Sequence, residues 1–159
     1  MPIVEPTAED HKWMVIALSE AEAAAQEEGV PVGSVMVKDG LVIGKGHNRS
    51  RSNNDPTSHA EIECIRNGGL RQGYDRVTLY TTVSPCLMCI GALLFVGIRR
   101  VVIGDCRSFK GDVALMVTKG VEVALTNNER AYELMADFAR RDHAFWVEFA
   151  SGSPLLHGN

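Results

Sequence analysis

Two short stretches have to meet in space for this chain to use the donors it carries, and that requirement limits what it can fold into. The first is His59-Ala60-Glu61; the second, some two dozen residues later, is Pro85-Cys86-Leu87-Met88-Cys89. One imidazole and two thiolates are the three soft or borderline donors with which a catalytic zinc keeps its fourth tetrahedral position open for water. Glu61 stands two residues past the histidine. Positions i and i+2 on a helix diverge by about 200°, so this carboxylate does not ligate beside His59 and is left free to move protons. Taken alone, a C-x-x-C is as often a redox pair or half of a structural zinc site. A structural site needs a fourth ligand, and the other cysteines, Cys64 and Cys106, belong to no such pair. Cys64 falls about one and a half turns along the same helix, facing away from His59. A redox reading leaves His59-Ala60-Glu61 without a use.

The rest of the chain supplies elements able to carry these halves. From Glu9 to Glu28 the residues Trp13, Met14, Ala17, Leu18, Ala21, Ala24 and Ala25 recur at helical spacing, and Gly29 and Pro31 end the run. Val32 to Val37 and Leu41 to Gly46 read as strands around an Asp39-Gly40 hairpin turn. The segment from His47 to Ser58 is a polar loop, and Asn48 at its start closes a strand where an amide can both donate and accept toward a base edge. Thr57 or Ser58 is predicted to cap a helix from about His59 to Arg66, with the first ligand in its first turn and Asn67-Gly68-Gly69 as its stop. Val77 to Thr82 reads as a central strand that delivers Ser84-Pro85-Cys86. Cys86 and Cys89, three apart, are predicted to share a helical face near an N-terminus, where free N–H groups favour thiolate. That helix ends at Gly97.

Arg99 to Gly104 reads as a strand buried on both faces, followed by a loop with Phe109. Then come a short helix at Val113 to Lys119, a strand at Val121 to Leu125, and a helix begun by Asn127 that spans Glu129 to about Arg141. The aromatic tail, Phe145-Trp146-Val147-Glu148-Phe149, is predicted to fold back on the domain. The order α, β, β, α, β, α, β, α, β, α predicts an α/β fold, a five-stranded sheet between helical layers. At 159 residues with 45% hydrophobic content, the whole chain, 1–159, reads as one domain.

Composition narrows the partners. The net charge is -4 and the basic residues are scattered, which argues against a polynucleotide substrate that would need a basic face. No stretch approaches the ~20 apolar residues of a membrane span, and Met1 to Asp10 has no signal-like pattern. Four cysteines, two of them in the zinc motif, do not suggest a disulfide framework, and the expected compartment is cytoplasmic.

On these residues the chain resembles the cytidine-deaminase superfamily, and within it the fungal-type cytosine deaminases, small homodimeric enzymes that hydrolyse free cytosine to uracil and ammonia. The similarity runs through Gly29-Val30-Pro31-Val32-Gly33, Gly46-His47-Asn48, His59-Ala60-Glu61 and Leu79-Tyr80-Thr81-Thr82-Val83-Ser84-Pro85-Cys86-Leu87-Met88-Cys89, then Gly104, Phe109-Lys110 and Trp146. The resemblance implies a three-layer α-β-α sandwich with a central mixed five-stranded sheet, a homodimer, and one Zn2+ per chain on His59, Cys86 and Cys89 with Glu61 as proton shuttle. It implies that Asn48, the Ala60 main-chain N–H and the Ser84 main-chain carbonyl hold the base. Phe109 and Trp146 would wall the pocket with His47 beside them, and the tail, 144–159, would close it. One position departs: the resembling enzymes recognise the amino side of cytosine with an aspartate where Phe149 stands here, and Glu148 is the neighbouring carboxylate that could replace it. The readings that follow are deamination of a small free nucleobase, cytosine foremost, and the same chemistry on creatinine, isocytosine, 5-methylcytosine or guanine. A tRNA adenosine deaminase shares the motifs around Pro31, Asn48, His59-Ala60-Glu61 and Pro85-Cys86. A silent zinc-binding assembly module is the remaining reading, and it has no use for Glu61.

Overall fold

The strands alternate so regularly that each side chain's parity assigns it to one of two cores. The protein is described here by a computed structural model over residues 3–150. Its strands are β1 (Gly33–Lys38), β2 (Leu41–His47), β3 (Thr78–Val83), β4 (Arg100–Asp105) and β5 (Glu122–Leu125). They form one sheet in the order β2-β1-β3-β4-β5. β1 is antiparallel to β2 and β3, while β3, β4 and β5 run parallel, so the sheet is mixed. On one face Val35, Val37, Tyr80, Val102 and Ala124 pack under Trp13, Met14 and Ala17 of α1 (Ala8–Gln26). On the other, Met36, Leu79, Val101, Ile103 and Val123 pack against Cys64 of α2 (Ala60–Gly68), Ile90 and Leu93 of α3 (Leu87–Val96), and Met116 of α4 (Val113–Thr118). α5 (Glu129–Arg141) joins the α1 side, and α6 (His143–Ala150) follows it. The result is the expected three-layer α-β-α sandwich. Among the described residues no helix is long and apolar enough to cross a membrane.

Local chemistry explains most boundaries. Thr7 and Asp10 form a reciprocal capping box at the start of α1. Asp39 and Gly40 both take positive φ, 51° and 74°, as a two-residue hairpin turn of the right twist needs. α2 lies so close to β2 that a Cβ on Gly46 would come within 2.6 Å of the Cys64 main-chain nitrogen and one on Gly44 within 2.7 Å of its carbonyl oxygen. The two glycines are what let the helix carrying Glu61 press against the sheet.

Three helix starts differ from the sequence reading. Thr57 and Ser58 do not cap α2, because both hydroxyls bond the Asp55 carboxylate, at 2.7 and 3.2 Å. His59 itself takes the extended N-cap position. Cys86 is likewise the N-cap of α3, outside the helical face expected to hold it with Cys89. At α5 Asn127 adopts a left-handed φ of 48° and Asn128 is the residue that caps, accepting from the Ala131 N–H at 3.0 Å.

Candidate active site

The N-termini of α2 and α3 converge on one point. With extended N-cap backbones, His59 and Cys86 point their side chains past the helix ends, and Cys89 reaches the same point from the first turn of α3. His59 Nδ1 lies 3.5 Å from Cys86 Sγ and 3.6 Å from Cys89 Sγ. A tetrahedral zinc with Zn–N near 2.0–2.1 Å and Zn–S near 2.3 Å needs nitrogen-to-sulfur edges of about 3.6 Å. The donor set fits that ion in chemistry and in size, and the ligand atoms of all three residues lie within 4.8 Å of one another. The ring of His59 is also hydrogen-bonded to the Pro56 main chain, the kind of outer contact that fixes a ligating imidazole.

The protons of this cluster are shared unevenly. A hydrogen bond from Cys89, with a further one from the His59 ring, draws the Cys86 thiol down to about 4 against the effect of burial. Cys89 is pushed up by that same bond and by burial. Burial lowers the His59 imidazole, but the Cys86 hydrogen bond and the negative charges of Glu61 and Cys86 outweigh it and leave the ring raised. Glu61, 3% exposed, is pushed up by burial above all. Its Oε2 lies 3.3 Å from Cys89 Sγ, and its Oε1 accepts from the Thr81 hydroxyl at 3.2 Å. Cys64 is buried in the core, its thiol raised by burial and bonded to the Gly44 carbonyl. It takes no part in the site, as its spacing indicated.

Above the cluster opens a cavity of about 930 Å³, at the upper end of volumes that hold small molecules. Asn48, His59, Ala60, Glu61, Ser84, Cys86, Phe109, Trp146 and Glu148 all line it. The Asn48 Oδ1 accepts from the Ser50 N–H at 3.1 Å, which fixes the amide and leaves Nδ2 to donate. Ala60 is the first residue of α2, where main-chain N–H groups have no helical partner. The Ser84 hydroxyl donates to the Lys110 carbonyl at 2.9 Å, tying the Phe109 loop to the end of β3.

His47 is the exception among the expected site residues. It does not line the cavity. Its ring is held on the other side of the strand by two carboxylates of the α1 region, Nδ1 2.8 Å from Glu20 and Nε2 3.0 Å from Glu27. The reason is strand alternation: with Asn48 turned to the cavity, its neighbour turns to α1.

The tail does fold back, as α6, and residues 151–159 lie outside those described. Phe149 sits over the His59 ring with centroids 5.1 Å apart and contacts Trp146 and Phe145. These rings pack onto Val30, Val83, Met135 and Phe138. Arg51, which nothing in the sequence singled out, holds this tail in place. It donates to the Glu28 carbonyl, pairs with Asp142 and lies over the rings of Phe145 and Phe138. The advance signal for this segment was its run of aromatic residues, which predicted that it folds back but not that it does so as a helix.

Comparison with known proteins agrees with this geometry. Residues 7–105 match the model of the cytidine and deoxycytidylate deaminase zinc-binding region. The chain is 37% identical to the cytosine deaminase of Candida albicans over 145 residues, 89% of this chain and 97% of that one. It is 44% identical to the tRNA-specific adenosine deaminase of Agrobacterium fabrum over 100 residues, 61% of this chain and 66% of the relative. A solved structure from work on A-to-I editing by tRNA:A34 deaminases superposes with a TM-score of 0.68 at 34% identity, over 78% of this chain and 99% of that one. The guanine deaminase of Bacillus subtilis superposes with a TM-score of 0.55 at 35% identity, over 62% of this chain and 64% of that one. With a zinc-type donor set, a buried carboxyl beside it and this match across most of the sheet, the chain belongs to the cytidine and deoxycytidylate deaminase family of zinc-binding enzymes.

Proposed function

We propose that this chain hydrolyses the exocyclic C–N bond of a small free amino-heterocycle, cytosine foremost, releasing ammonia. The observation that carries the reading is the seating of α6 over the metal site, with Phe149 on His59 and Trp146 beside it. That arrangement makes an aromatic-walled slot for one planar ring. In sequence the match to the Candida albicans enzyme extends over 89% of the chain and those to tRNA-specific adenosine deaminases over about 60% of it, while the tRNA:A34 deaminase structure superposes on 78%.

Held by His59, Cys86 and Cys89, zinc is a Lewis acid that lowers the pKa of water toward ~7. The protein's own groups do the rest. Asn48 Nδ2 and the Ala60 N–H donate to the ring carbonyl of the base, and the Ser84 main-chain carbonyl accepts from its amino group. Phe109 and Trp146 hold the ring between them. Glu61 accepts the proton that water gives up and passes it to the ring nitrogen beside the reacting carbon, which makes that carbon electrophilic. It then takes the second proton of that water, from the hydroxyl now on the carbon, and gives it to the departing amine, which leaves a carbonyl behind. The balance is one water consumed, the carbon–nitrogen bond replaced by a carbonyl, and one ammonia released.

Phe149 favours a second reading within the same chemistry. A buried amino group that loses a carboxylate acceptor forfeits about 1–3 kcal/mol, so another small amino-heterocycle becomes competitive unless Glu148, which also lines the cavity, replaces the contact. Ammonia release by zinc-loaded protein on equimolar cytosine, 5-methylcytosine, isocytosine, creatinine, guanine and adenosine-containing tRNA tests both. Cytosine is expected to lead. A different free base in the lead moves the specificity to the second reading, and turnover confined to tRNA would overturn both.

A further inference from the structure

Thr81 and Thr82 are neighbours on β3, so their side chains leave opposite faces of the sheet. Thr82 has a structural use. Its Oγ1 accepts from the Gly33 N–H at 3.0 Å, where the β1–β3 ladder has ended. Thr81 shares a face with Leu79, and directly opposite it in register stands Ser34, which shares a face with Met36. That face is otherwise an apolar core of Met36, Leu79 and Ile103. Two fully buried hydroxyls there cost free energy that packing alone does not return, unless they are hydrogen-bonded to some purpose.

Their bonds form a directed chain. The Ser34 hydroxyl donates to Thr81 Oγ1 at 2.9 Å, and Thr81 in turn donates to Glu61 Oε1 at 3.2 Å, with the Val83 carbonyl a second acceptor at 3.3 Å. Because Ser34 occupies a lone pair of Thr81, the single Thr81 proton is shared between Glu61 Oε1, the nearer acceptor, and the Val83 carbonyl. Glu61 Oε1 is therefore capped by a donor whether the carboxyl is ionised or protonated, since an oxygen that accepts from Thr81 need not be the one carrying the acid proton. The other oxygen, Oε2, is the one turned toward the metal ligands.

We infer that Thr81, backed by Ser34, is a positioning residue that holds Glu61 Oε1 and so reserves Oε2 as the single oxygen that takes and returns the proton. This inference rests on the deaminase reading above. It gives the two oxygens different tasks and explains why a core position of β3 carries a hydroxyl rather than the valine its surroundings would accept. Misplacing a proton carrier by as little as 1 Å can cost about 100-fold in rate.

The test compares Thr81→Val, Thr81→Ser and Ser34→Ala as zinc-loaded proteins, with zinc content, melting temperature, kcat and KM measured on the base the wild type turns over fastest. Thr81→Val is expected to keep its zinc and lower kcat about 10- to 100-fold with KM nearly unchanged. Thr81→Ser should return most of that loss, and Ser34→Ala should show a smaller fall in the same direction. A folded, zinc-loaded Thr81→Val with wild-type kcat overturns the inference, as does a Thr81→Ser as slow as the valine variant. Should Thr81→Val not fold, Ser34→Ala carries the test, and an unchanged kcat there overturns it. Crystal structures of the zinc-loaded variants give a readout that does not need turnover. If Glu61 keeps both oxygens in place in Thr81→Val, or in Ser34→Ala should the valine variant not fold, the inference fails even if every base in the panel proves inert. Inert wild-type protein, by contrast, would remove the proposed function and leave the positioning to be judged from those structures.

Discussion

The metal ligands and the aromatic cover that lies on them are positioned in opposite ways. His59, Cys86 and Cys89 come from two helix starts, each following a loop or strand that is pinned to the sheet, and their relative placement is set by short connections. Phe149 comes from the end of the described chain and reaches the same imidazole only because α5, Arg51 and a cluster of rings hold α6 there. The contrast tracks the family match, which ends at residue 105, before any of the cover begins. On the function proposed above, chemistry belongs to the part built by local geometry and selectivity to the part built by long-range packing. A family can then keep the first and vary the second without disturbing zinc.

The largest expected effect lies in the first region. Glu61→Gln keeps the shape of the side chain and can still accept from Thr81, but an amide cannot carry the proton. Turnover is expected to fall by about 1,000-fold or more, with zinc content unchanged and the melting temperature equal to or above that of the wild type, since a buried acid has been removed. Turnover within tenfold of wild type in zinc-replete protein would sink the role given to Glu61. It would also break the division drawn here, because the chemistry would then not depend on the region that carries it.

A smaller effect is expected from the cover. Phe149→Asp places a carboxylate on the amino side of a bound pyrimidine, and a hydrogen bond to a charged group of that kind discriminates by about 10-fold or more. The ratio of kcat/KM for cytosine to that for the next-best base should rise by that amount while the zinc content stays constant. The aromatic contacts of Phe149 with His59, Phe145 and Trp146 are lost as well, so the absolute rates fall even as the ratio rises. An unchanged ratio would mean that Glu148 or the main chain already reads the amino group, and that Phe149 only fills space.

The same contrast governs what could be read in advance. The zinc triad, Glu61 and the five strands were legible because each is declared within a few residues: a histidine two before a glutamate, a C-x-x-C, a β-branched run in β3, a continuous apolar run in β4, a hairpin signalled by Asp39-Gly40. Even there, the start of α2 was misplaced because the hydroxyls of Thr57 and Ser58 are drawn back to Asp55, and nothing in a capping pattern ranks that competitor against the helix. The family resemblance put His47 beside the pocket, but its partners here, Glu20 and Glu27, lie on another element and turn the ring away. Arg51 was not legible at all. Its importance lies wholly in contacts with Glu28, Phe138, Asp142 and Phe145, which come together only in the folded chain. The hydroxyl chain from Ser34 to Glu61 was hidden for the same reason, although Thr81-Thr82 was visible as a motif.

The smallest expected effect compares the ion pairs that anchor the two regions. Asp10 is 2% exposed and grips Arg100 through both oxygens, at 2.7 and 2.9 Å, while Tyr80 and the Thr7 N–H add further bonds. It thereby ties α1 to β3 and β4. Burial alone would raise this carboxyl, but the Arg100 and Thr7 hydrogen bonds outweigh it and hold it at about 2, below the usual 3.8. A carboxyl that ionises at lower pH when folded than when unfolded contributes stability that is full above pH 4 and is lost as the pH falls through about 2. The shift corresponds to about 2 kcal/mol. Asp10→Asn should therefore melt several degrees below wild type at pH 7, and the gap should narrow between pH 4 and pH 2.5. Activity per folded molecule should be nearly unchanged, because Asp10 is bonded to Arg100 at the start of β4, the end of the sheet opposite the one that carries Ser84 and the cavity. Asp142, paired with Arg51 at the surface, is the control: its partner is screened by water, so Asp142→Asn should leave the melting temperature almost where it was. If the two variants melt alike at pH 7, the anchoring of the metal-bearing region is no tighter than that of its cover, and the difference in how the two regions are held does not extend to their electrostatics.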